Sequence, residues 1–191
     1  MTAEPARRKQ AAAAAGPRAL GRTDVKRLNR SWRQLARARV WLLLDSVSQP
    51  FNVGSIIRTA AAFGVERIWL CGDTAPPDHP QARRTALGTG RLVTFQREPS
   101  PARAAAAAAA EGLRVIAVEL AQDAVPLHEA PLGGDVCLAL GHEDRGCSPA
   151  LLAAADTAAY IPQLGRVGSL NVAAAAAIAL AEARRREWQR A

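Results

Sequence analysis

The sequence predicts an α/β protein in which helices cover both faces of a parallel sheet. Two observations support this prediction. Short apolar runs such as Val40–Leu44 and Val136–Leu140 lack an alternation of polar and apolar residues, which is typical of strands buried on both faces. Segments with helical spacing separate these runs, and such alternation indicates a parallel sheet. Ligands of these folds bind at the carboxyl ends of the strands, so we expect the functional residues there.

The first half of the chain supplies three of the predicted strands. Val40–Leu44 is the first strand, Asn52–Phe63 has the spacing of a helix, and Arg67–Cys71 is the second strand. Residues 73–91 are rich in Pro, Gly and Arg, so we expect a polar loop there. Leu92–Phe95 is a third, short strand.

Serine–proline pairs mark the starts of two helices in the second half. Ser100-Pro101 and Ser148-Pro149 each place a capping hydroxyl before a proline at the first helical position. They precede two alanine-rich segments that we predict to be helical, the second of them Ala150–Ala155. The other predicted elements are strands at Val115–Val118, Val136–Leu140 and Ala158–Ile161, a loop at Gln163–Gly168, and a last helix from about Ser169 to Trp188.

The charge of the chain is concentrated near its start. The 191 residues carry a net charge of +8, yet residues 1–40 hold 11 basic and two acidic residues, a net of +9, and residues 41–191 hold 14 and 15, a net of −1. Such a block attracts phosphate polyanions or anionic lipid. No apolar run approaches the roughly 18 residues that span a bilayer, and the start does not match a signal peptide. We therefore expect a nucleic-acid partner, no membrane, and a cytoplasmic location.

The composition divides the chain into three parts. Residues 1–22 mix Ala, Arg, Pro and Gly without periodicity and are expected to be a disordered basic tail. Residues 23–39 have apolar residues at helical spacing among basic ones, which predicts a basic helical extension, and residues 40–191 form the main domain. The cysteines are odd in number and lack CxxC spacing, so we expect reduced thiols and no metal site: Cys71, Cys137 and Cys147.

Three polar clusters each follow a predicted strand. They are N-V-G-S-I-I-R-T at residues 52–59, G-H-E-D-R-G at residues 141–146, and I-P-Q-L-G-R-V-G-S-L-N-V at residues 161–172. Each has a purely structural alternative, namely Asn52 as a helix cap, a solvent loop, and Ser169 as the cap of the last helix. That last cap would leave Asn171 without a structural role inside an apolar helix.

Together and in this order, the clusters resemble the three motifs of the SpoU (TrmH-like) branch of the SPOUT methyltransferases. The motifs N-x-G-x-I-x-R-T, G-x-E-x-x-G and I-P-x-x-G-x-x-x-S-L-N-V are all matched, and the resemblance spans about residues 40–187. It implies a deep trefoil knot in the C-terminal segment, an exception to the rule that chains do not thread loops. It also implies a homodimer, S-adenosylmethionine as methyl donor, and methylation of ribose 2′-hydroxyls of tRNA or rRNA.

The resemblance also implies roles for individual residues. The family's catalytic arginine is matched by Arg58, and its polar companions by Asn52, Glu143, Ser169 and Asn171. The backbone segments that hold S-adenosylmethionine are matched around Gly141, Ile161 and Leu170, with Leu120 as a further candidate. The basic residues expected to bind RNA are Arg83, Arg84, Arg91 and Arg166.

The chemistry of methyl transfer limits what these side chains can do. A ribose hydroxyl must lose its proton while it attacks the methyl group in line. Arginine is a poor base because its pKa exceeds about 12, so we expect Arg58 to clamp a phosphate or a developing alkoxide, with a role as the literal base left open. Glu143 is expected to orient Arg58 or the motif loops, while Ser169 and Asn171 fix the ribose or the loop.

The substrate is expected to be tRNA, with the guanosine of the D-loop as the first candidate by analogy and rRNA as the alternative. A rival of another class is a non-catalytic RNA-binding or ribosome-assembly protein with the same fold. The presence of Arg58, Glu143 and Asn171 argues against this rival. A nucleotide-dependent oxidoreductase is disfavoured because residues 83–91 contain G-x-G without the remaining glycine of the fingerprint.

Overall fold

A computed structural model describes residues 16–189, which fall into two compact units divided after Gln34. Most of the predicted tail, residues 1–15, lies outside the described residues. Residues 16–21 have no regular secondary structure, and helix α1 follows at Arg22–Leu35, with every residue exposed. The predicted basic helix therefore exists but ends four residues early. The helix ends there because the backbone amides of residues 37–39, which belong to the second unit, donate to the side chains of Glu187 and Asp135 instead of continuing the helix.

The second unit contains a seven-stranded sheet in which all neighbouring strands are parallel. The strands lie in the order β3-β2-β1-β6-β4-β7-β5. Their bounds are β1 Val40–Asp45, β2 Arg67–Cys71, β3 Thr94–Arg97, β4 Arg114–Val118, β5 Val125–Pro126, β6 Val136–Leu140 and β7 Thr157–Tyr160. The helices are α2 Pro50–Ala62, α3 Pro80–Ala86, α4 Pro101–Ala110, α5 Pro149–Ala154 and α6 Val172–Trp188, with a 3₁₀ turn at Thr89–Leu92. The predicted α/β class with a parallel sheet is confirmed.

Two apolar clusters, one on each face of the sheet, form the core of this unit. Along β1, Leu42 and Leu44 pack with α2 and α6, while Trp41 and Leu43 pack with α4 and α5. Because both faces are covered, the whole strand is apolar until Asp45, and this is why β1 lacks alternation. The three cysteines are buried and unpaired in this core.

Residues 73–91 differ from the polar loop that the sequence predicts. They contain α3 and the 3₁₀ turn, which occupy the segment before β3 and move that strand to Thr94–Arg97. Helix α3 begins because His79 accepts a hydrogen bond from the Gln81 amide and Pro80 occupies the first turn. Ala82 is buried where α3 packs on α2, and the packing is so close that a Cβ on Gly54 would overlap the Ala82 carbonyl. The two-residue strand β5 is also absent from the prediction.

A buried arginine joins both ends of the main unit. Arg184 of α6 is 4% exposed, and its guanidinium donates to the carbonyls of Phe63 and Gly64, at the end of α2, and to the carbonyl of Ala38. It also forms an ion pair with Glu187 at 2.8 Å. Four donor bonds to otherwise unsatisfied acceptors make this side chain costly to remove.

We expect Arg184→Met to lower the free energy of unfolding by about 3–5 kcal/mol, because it leaves buried carbonyls without their donor and the Glu187 carboxylate without its ion-pair partner. Urea denaturation measures the change. The matched control is Arg185→Met, which breaks a more exposed ion pair with Glu182 on the same helix and should cost much less. Equal losses in the two variants would contradict the role assigned to Arg184.

Candidate functional site

Segments after four adjacent strands converge at the carboxyl edge of the sheet. Strands β1, β6, β4 and β7 are neighbours in that order, and the segments that follow β6, β4 and β7 line one cavity of about 770 Å³. This volume is within the usual range of small-molecule sites, about 300–1,000 Å³. The four residues predicted to hold the cofactor all line it: Leu120, Gly141, Ile161 and Leu170.

The segment after β6 is a tight loop stabilised by its own backbone. The amide of His142 donates to the carbonyl of Gly146, and the amide of Gly146 donates back to His142. A Cβ on Gly141 would overlap the backbone of Gly146 and Cys147, so only glycine lets the loop close at this point. Gly146 has a φ of +68°, which also favours glycine. Both glycines of the second motif are thus required by geometry.

Glu143 projects from this loop to the start of α2. Its carboxylate accepts hydrogen bonds from the amides of Ser48 and Gln49 at 3.1 Å, from the Ser48 hydroxyl at 3.3 Å, and from Nδ2 of Asn52 at 2.9 Å. Burial alone would raise the pKa of Glu143, but the hydrogen bonds from Asn52 and from nearby backbone amides outweigh it and hold the pKa below its usual range. The side chain is therefore a fixed anion that ties the second motif to the first.

Asn171 connects the third motif to the same network. Its Oδ1 accepts from the amides of Ala173 at 2.9 Å and Ala174 at 3.3 Å, and so it caps α6. Its Nδ2 donates to Oδ1 of Asn52 at 2.9 Å. Asn52 is 5% exposed and uses its oxygen for Asn171 and its nitrogen for Glu143. We refer to Asn171, Asn52 and Glu143 as the motif network.

Two capping expectations are corrected by this geometry. Ser169 does not cap the last helix, because α6 begins three residues later and Asn171 supplies the cap. Asn52 does not cap α2 either, since Pro50 occupies the first turn and Gln49 is the residue at the cap position. The buried amide of Asn52 instead joins the two other motifs, a role for which helical spacing gives no signal.

Ser169 and Arg58 remain outside the motif network. Ser169 is exposed on the cavity wall and forms no side-chain hydrogen bond within residues 16–189. Arg58 is exposed on α2, its side chain forms no ion pair or hydrogen bond within the same residues, and it does not line the cavity. Of the two roles expected for Glu143, the structure therefore shows that it positions the motif loops, and it does not contact Arg58.

The four arginines expected to bind RNA are all exposed, in three different elements. Arg83 and Arg84 lie in the last turn of α3 and Arg91 in the 3₁₀ turn, so they stand on ordered elements rather than on a loop. Arg166 lies in the segment between β7 and α6. No salt bridge engages any of these side chains within residues 16–189.

Two carboxylates of the site were not among the predicted residues. Asp45, the last residue of β1, accepts from the Ser148 amide at 2.9 Å, and Glu119, directly after β4, accepts from the Cys147 amide at 2.8 Å. Both hold the end of the loop that follows β6. The signal that could have found them is an acidic residue at the carboxyl end of an apolar strand, which both share.

Two classes of site are not found in the described part of the chain. Residues 16–189 contain no group of three or more His, Cys, Asp or Glu side chains placed to hold a metal ion. Nor is any helix among these residues both long and apolar enough to cross a membrane.

Comparison with known proteins gives consistent matches. The model of the SpoU rRNA Methylase family matches residues 39–181. The chain is 36% identical over 143 residues to a 23S rRNA (guanosine-2'-O-)-methyltransferase of Acinetobacter baylyi, covering 74% of this chain and 58% of that protein. It is 34% identical over 167 residues to the tRNA (guanosine(18)-2'-O)-methyltransferase of Thermus thermophilus, covering 86% of this chain and 84% of that protein.

A solved structure matches the fold as well. The SpoU methyltransferase AviRb of Streptomyces viridochromogenes, crystallised in complex with the cofactor AdoMet, superposes with a TM-score of 0.74 at 27% identity, covering 81% of this chain and 63% of that chain. This chain spans little more than half the length of several curated relatives that it matches.

We expect Glu143→Gln to lower the free energy of unfolding by about 1–2 kcal/mol at neutral pH, because an amide cannot accept all the bonds that the carboxylate accepts. The lowered pKa of Glu143 means that its stabilising contribution is present above the ordinary glutamate pKa of about 4.3 and is lost as the pH falls through the folded-state pKa. The difference between wild type and variant should therefore shrink in acid, measured by urea denaturation at pH 7 and below pH 4.

The control for this prediction is Asp144→Asn, a neighbouring exposed carboxylate with no side-chain hydrogen bond within residues 16–189. It should change stability little at either pH. A difference between wild type and Glu143→Gln that stays constant with pH would contradict the assignment of Glu143 as a fixed anion.

Proposed function

The chain belongs to the SpoU rRNA methylase family, and on this basis we propose that it transfers a methyl group from S-adenosylmethionine to a ribose 2′-hydroxyl of RNA. One observation carries the proposal: the motif network joins all three family motifs beside a cavity at the carboxyl edge of the sheet. The names of the Acinetobacter and Thermus relatives support this reaction, and the AviRb complex supports this methyl donor.

The residues of the cavity fit S-adenosylmethionine. Leu120, Ile161 and Leu170 offer apolar side chains, and the polar side chains of Gln163 and Ser169 line the same cavity. A mixed site of this kind suits a molecule with a purine ring, a ribose and an amino-acid tail. When bound, the cofactor supplies a methyl group activated on a positively charged sulfur.

The side chains of the site divide into positioning groups and available groups. Both oxygens of Glu143 accept two hydrogen bonds each, which occupies the four lone-pair sites of a carboxylate, so Glu143 positions the loops and does not take the proton. The Ser169 hydroxyl is available to bind the ribose or the loop. The Arg58 guanidinium, unpaired within residues 16–189, is available to clamp a phosphate or the developing alkoxide. The proton then leaves through phosphate or water.

We propose tRNA as the substrate, with the D-loop guanosine first, and rRNA as the second candidate. The name of the Thermus relative supports the first and that of the Acinetobacter relative the second. The exposed guanidinium groups of Arg83, Arg84 and Arg91 can hold RNA phosphates, as can that of Arg166 in the segment beside the cavity.

The test is methyl transfer from labelled S-adenosylmethionine to unmodified tRNA and 23S rRNA transcripts, with the modified nucleotide mapped by mass spectrometry. We expect 2′-O-methylation of a tRNA guanosine. Methylation of rRNA alone would select the second candidate. Binding of cofactor and RNA without transfer would contradict the enzyme and favour the non-catalytic RNA-binding rival.

We further propose a cytoplasmic homodimer with a C-terminal trefoil knot, as the family resemblance implies. The exposed apolar side chains of Leu164 and Val167, 103% and 65% exposed, favour a covered surface near the cavity. Light scattering should give about 40 kDa, twice the 20.2 kDa chain. A fully active monomer at micromolar concentration would contradict the dimer.

We expect Arg58→Ala to lower kcat by about 10²–10⁴-fold, because it removes an interaction made chiefly in the transition state. Arg58→Lys should rescue little, since the ammonium lacks the planar pair of donors. The affinity for S-adenosylmethionine, measured by calorimetry, should stay close to that of wild type. The control is Arg103→Ala on α4, an exposed arginine on the other face of the sheet. A wild-type rate for Arg58→Ala would move the catalytic assignment to another side chain.

Residues 1–34 hold nine basic and two acidic residues, a net of +7, so their removal should weaken RNA binding and flatten its dependence on salt. The boundary keeps residues 37–39, which bond to Glu187 and Asp135. The affinity for S-adenosylmethionine should stay the same in the truncated protein as in the full chain. A full-length variant with Gln at Arg22, Arg27, Arg30 and Arg33 should show part of the same loss, and an unchanged salt slope in both proteins would refute a role in RNA binding.

A further inference from the structure

The cavity contains a carboxylate that none of the family motifs includes. Glu119 follows β4, lines the cavity, and is half-buried. Its Oε2 accepts from the Cys147 amide at 2.8 Å, and its Oε1 accepts from the Leu120 amide at 2.9 Å. No salt bridge joins it to a basic side chain within residues 16–189. A single side chain therefore holds two separate segments of the cavity wall.

This carboxylate packs directly against Gly146, the last glycine of the second motif. A Cβ on Gly146 would overlap the Glu119 carboxylate. Gly146 also has a φ of +68°, at the point where the loop returns to the core. The carboxylate thus packs against the Gly146 backbone and at the same time accepts the amide of the next residue. Replacement of either residue should disturb the position of the other.

We propose that Glu119 is a positioning residue of the cofactor site. It fixes the loop that ends at Cys147 relative to Leu120 through two charge-assisted hydrogen bonds, and both segments are expected to hold S-adenosylmethionine. It acts through the backbone of these segments and touches no reacting atom. This inference rests on the proposed function, because it takes S-adenosylmethionine as the ligand of the cavity.

The first test measures the binding of S-adenosylmethionine and S-adenosylhomocysteine to full-length Glu119→Gln by calorimetry. We expect both affinities to fall by about tenfold, the effect of losing about one hydrogen bond to a charged group. The KM for S-adenosylmethionine should rise by more than kcat falls. Amide exchange at Cys147, followed by nuclear magnetic resonance, should accelerate because its acceptor is weakened.

The second test is a double-mutant cycle between Glu119 and Gly146. Gly146→Ala should weaken the binding of S-adenosylhomocysteine severalfold less in the Glu119→Ala background than in wild type, because the overlapping carboxylate is gone. The control is Glu129→Gln, an exposed carboxylate outside the cavity, which should leave binding unchanged.

The outcomes separate this inference from the proposed function. Failure of the wild-type protein to bind either ligand would contradict the proposed function. Binding by wild type that is equal in Glu119→Gln would overturn the positioning role. So would a loss confined to the positively charged S-adenosylmethionine, since the carboxylate would then act on the ligand charge directly. Additive effects of Glu119→Ala and Gly146→Ala on the binding free energy would also overturn it.

Discussion

The hydrogen bonds among Asn171, Asn52 and Glu143 are the constraint on which the site depends. The two links span 119 and 91 residues of sequence, yet each is 2.9 Å long. An amide has a donor end and an acceptor end, so Asn52 can satisfy both partners in only one orientation. Asn171 also caps the start of α6, and Glu143 also accepts the backbone amides of Ser48 and Gln49, which precede α2. The network therefore fixes the third motif, helix α2 and the loop after β6 relative to one another.

The sheet makes this network possible by placing the right strands side by side. β1 and β6 are adjacent at its centre, and β4 and β7 follow, so four carboxyl ends meet at one edge. Asp45, Glu119 and Glu143 accept backbone amides there, two of them from the loop after β6 and the third from the segment after β1. Carboxylates that accept backbone amides pre-organise a loop without filling the cavity, which leaves its apolar walls free for a ligand.

The parts that the sequence predicts are those determined locally. Strand β2 agrees to the residue and β1 to within one, because an apolar run buried on both faces has a local signature. Helix α3 was missed because its stability comes from packing against Gly54, which no local pattern reveals. In the site, motif resemblance identified Asn52, Glu143 and Asn171, but not that they contact one another. The hydrogen bond from Asn171 to Asn52 and the packing of Glu119 against Gly146 are contacts distant in sequence, and so neither was predictable.

The most direct test of this account is the rate of methyl transfer by Asn171→Asp. The aspartate keeps the oxygen that caps α6 but lacks the nitrogen that donates to Asn52, so it breaks the network with the helix intact. We expect a small change in the free energy of unfolding together with a loss of transfer of at least about tenfold, equivalent to one broken hydrogen bond. A wild-type rate in a protein with this substitution would contradict the claim that the motif network assembles the site.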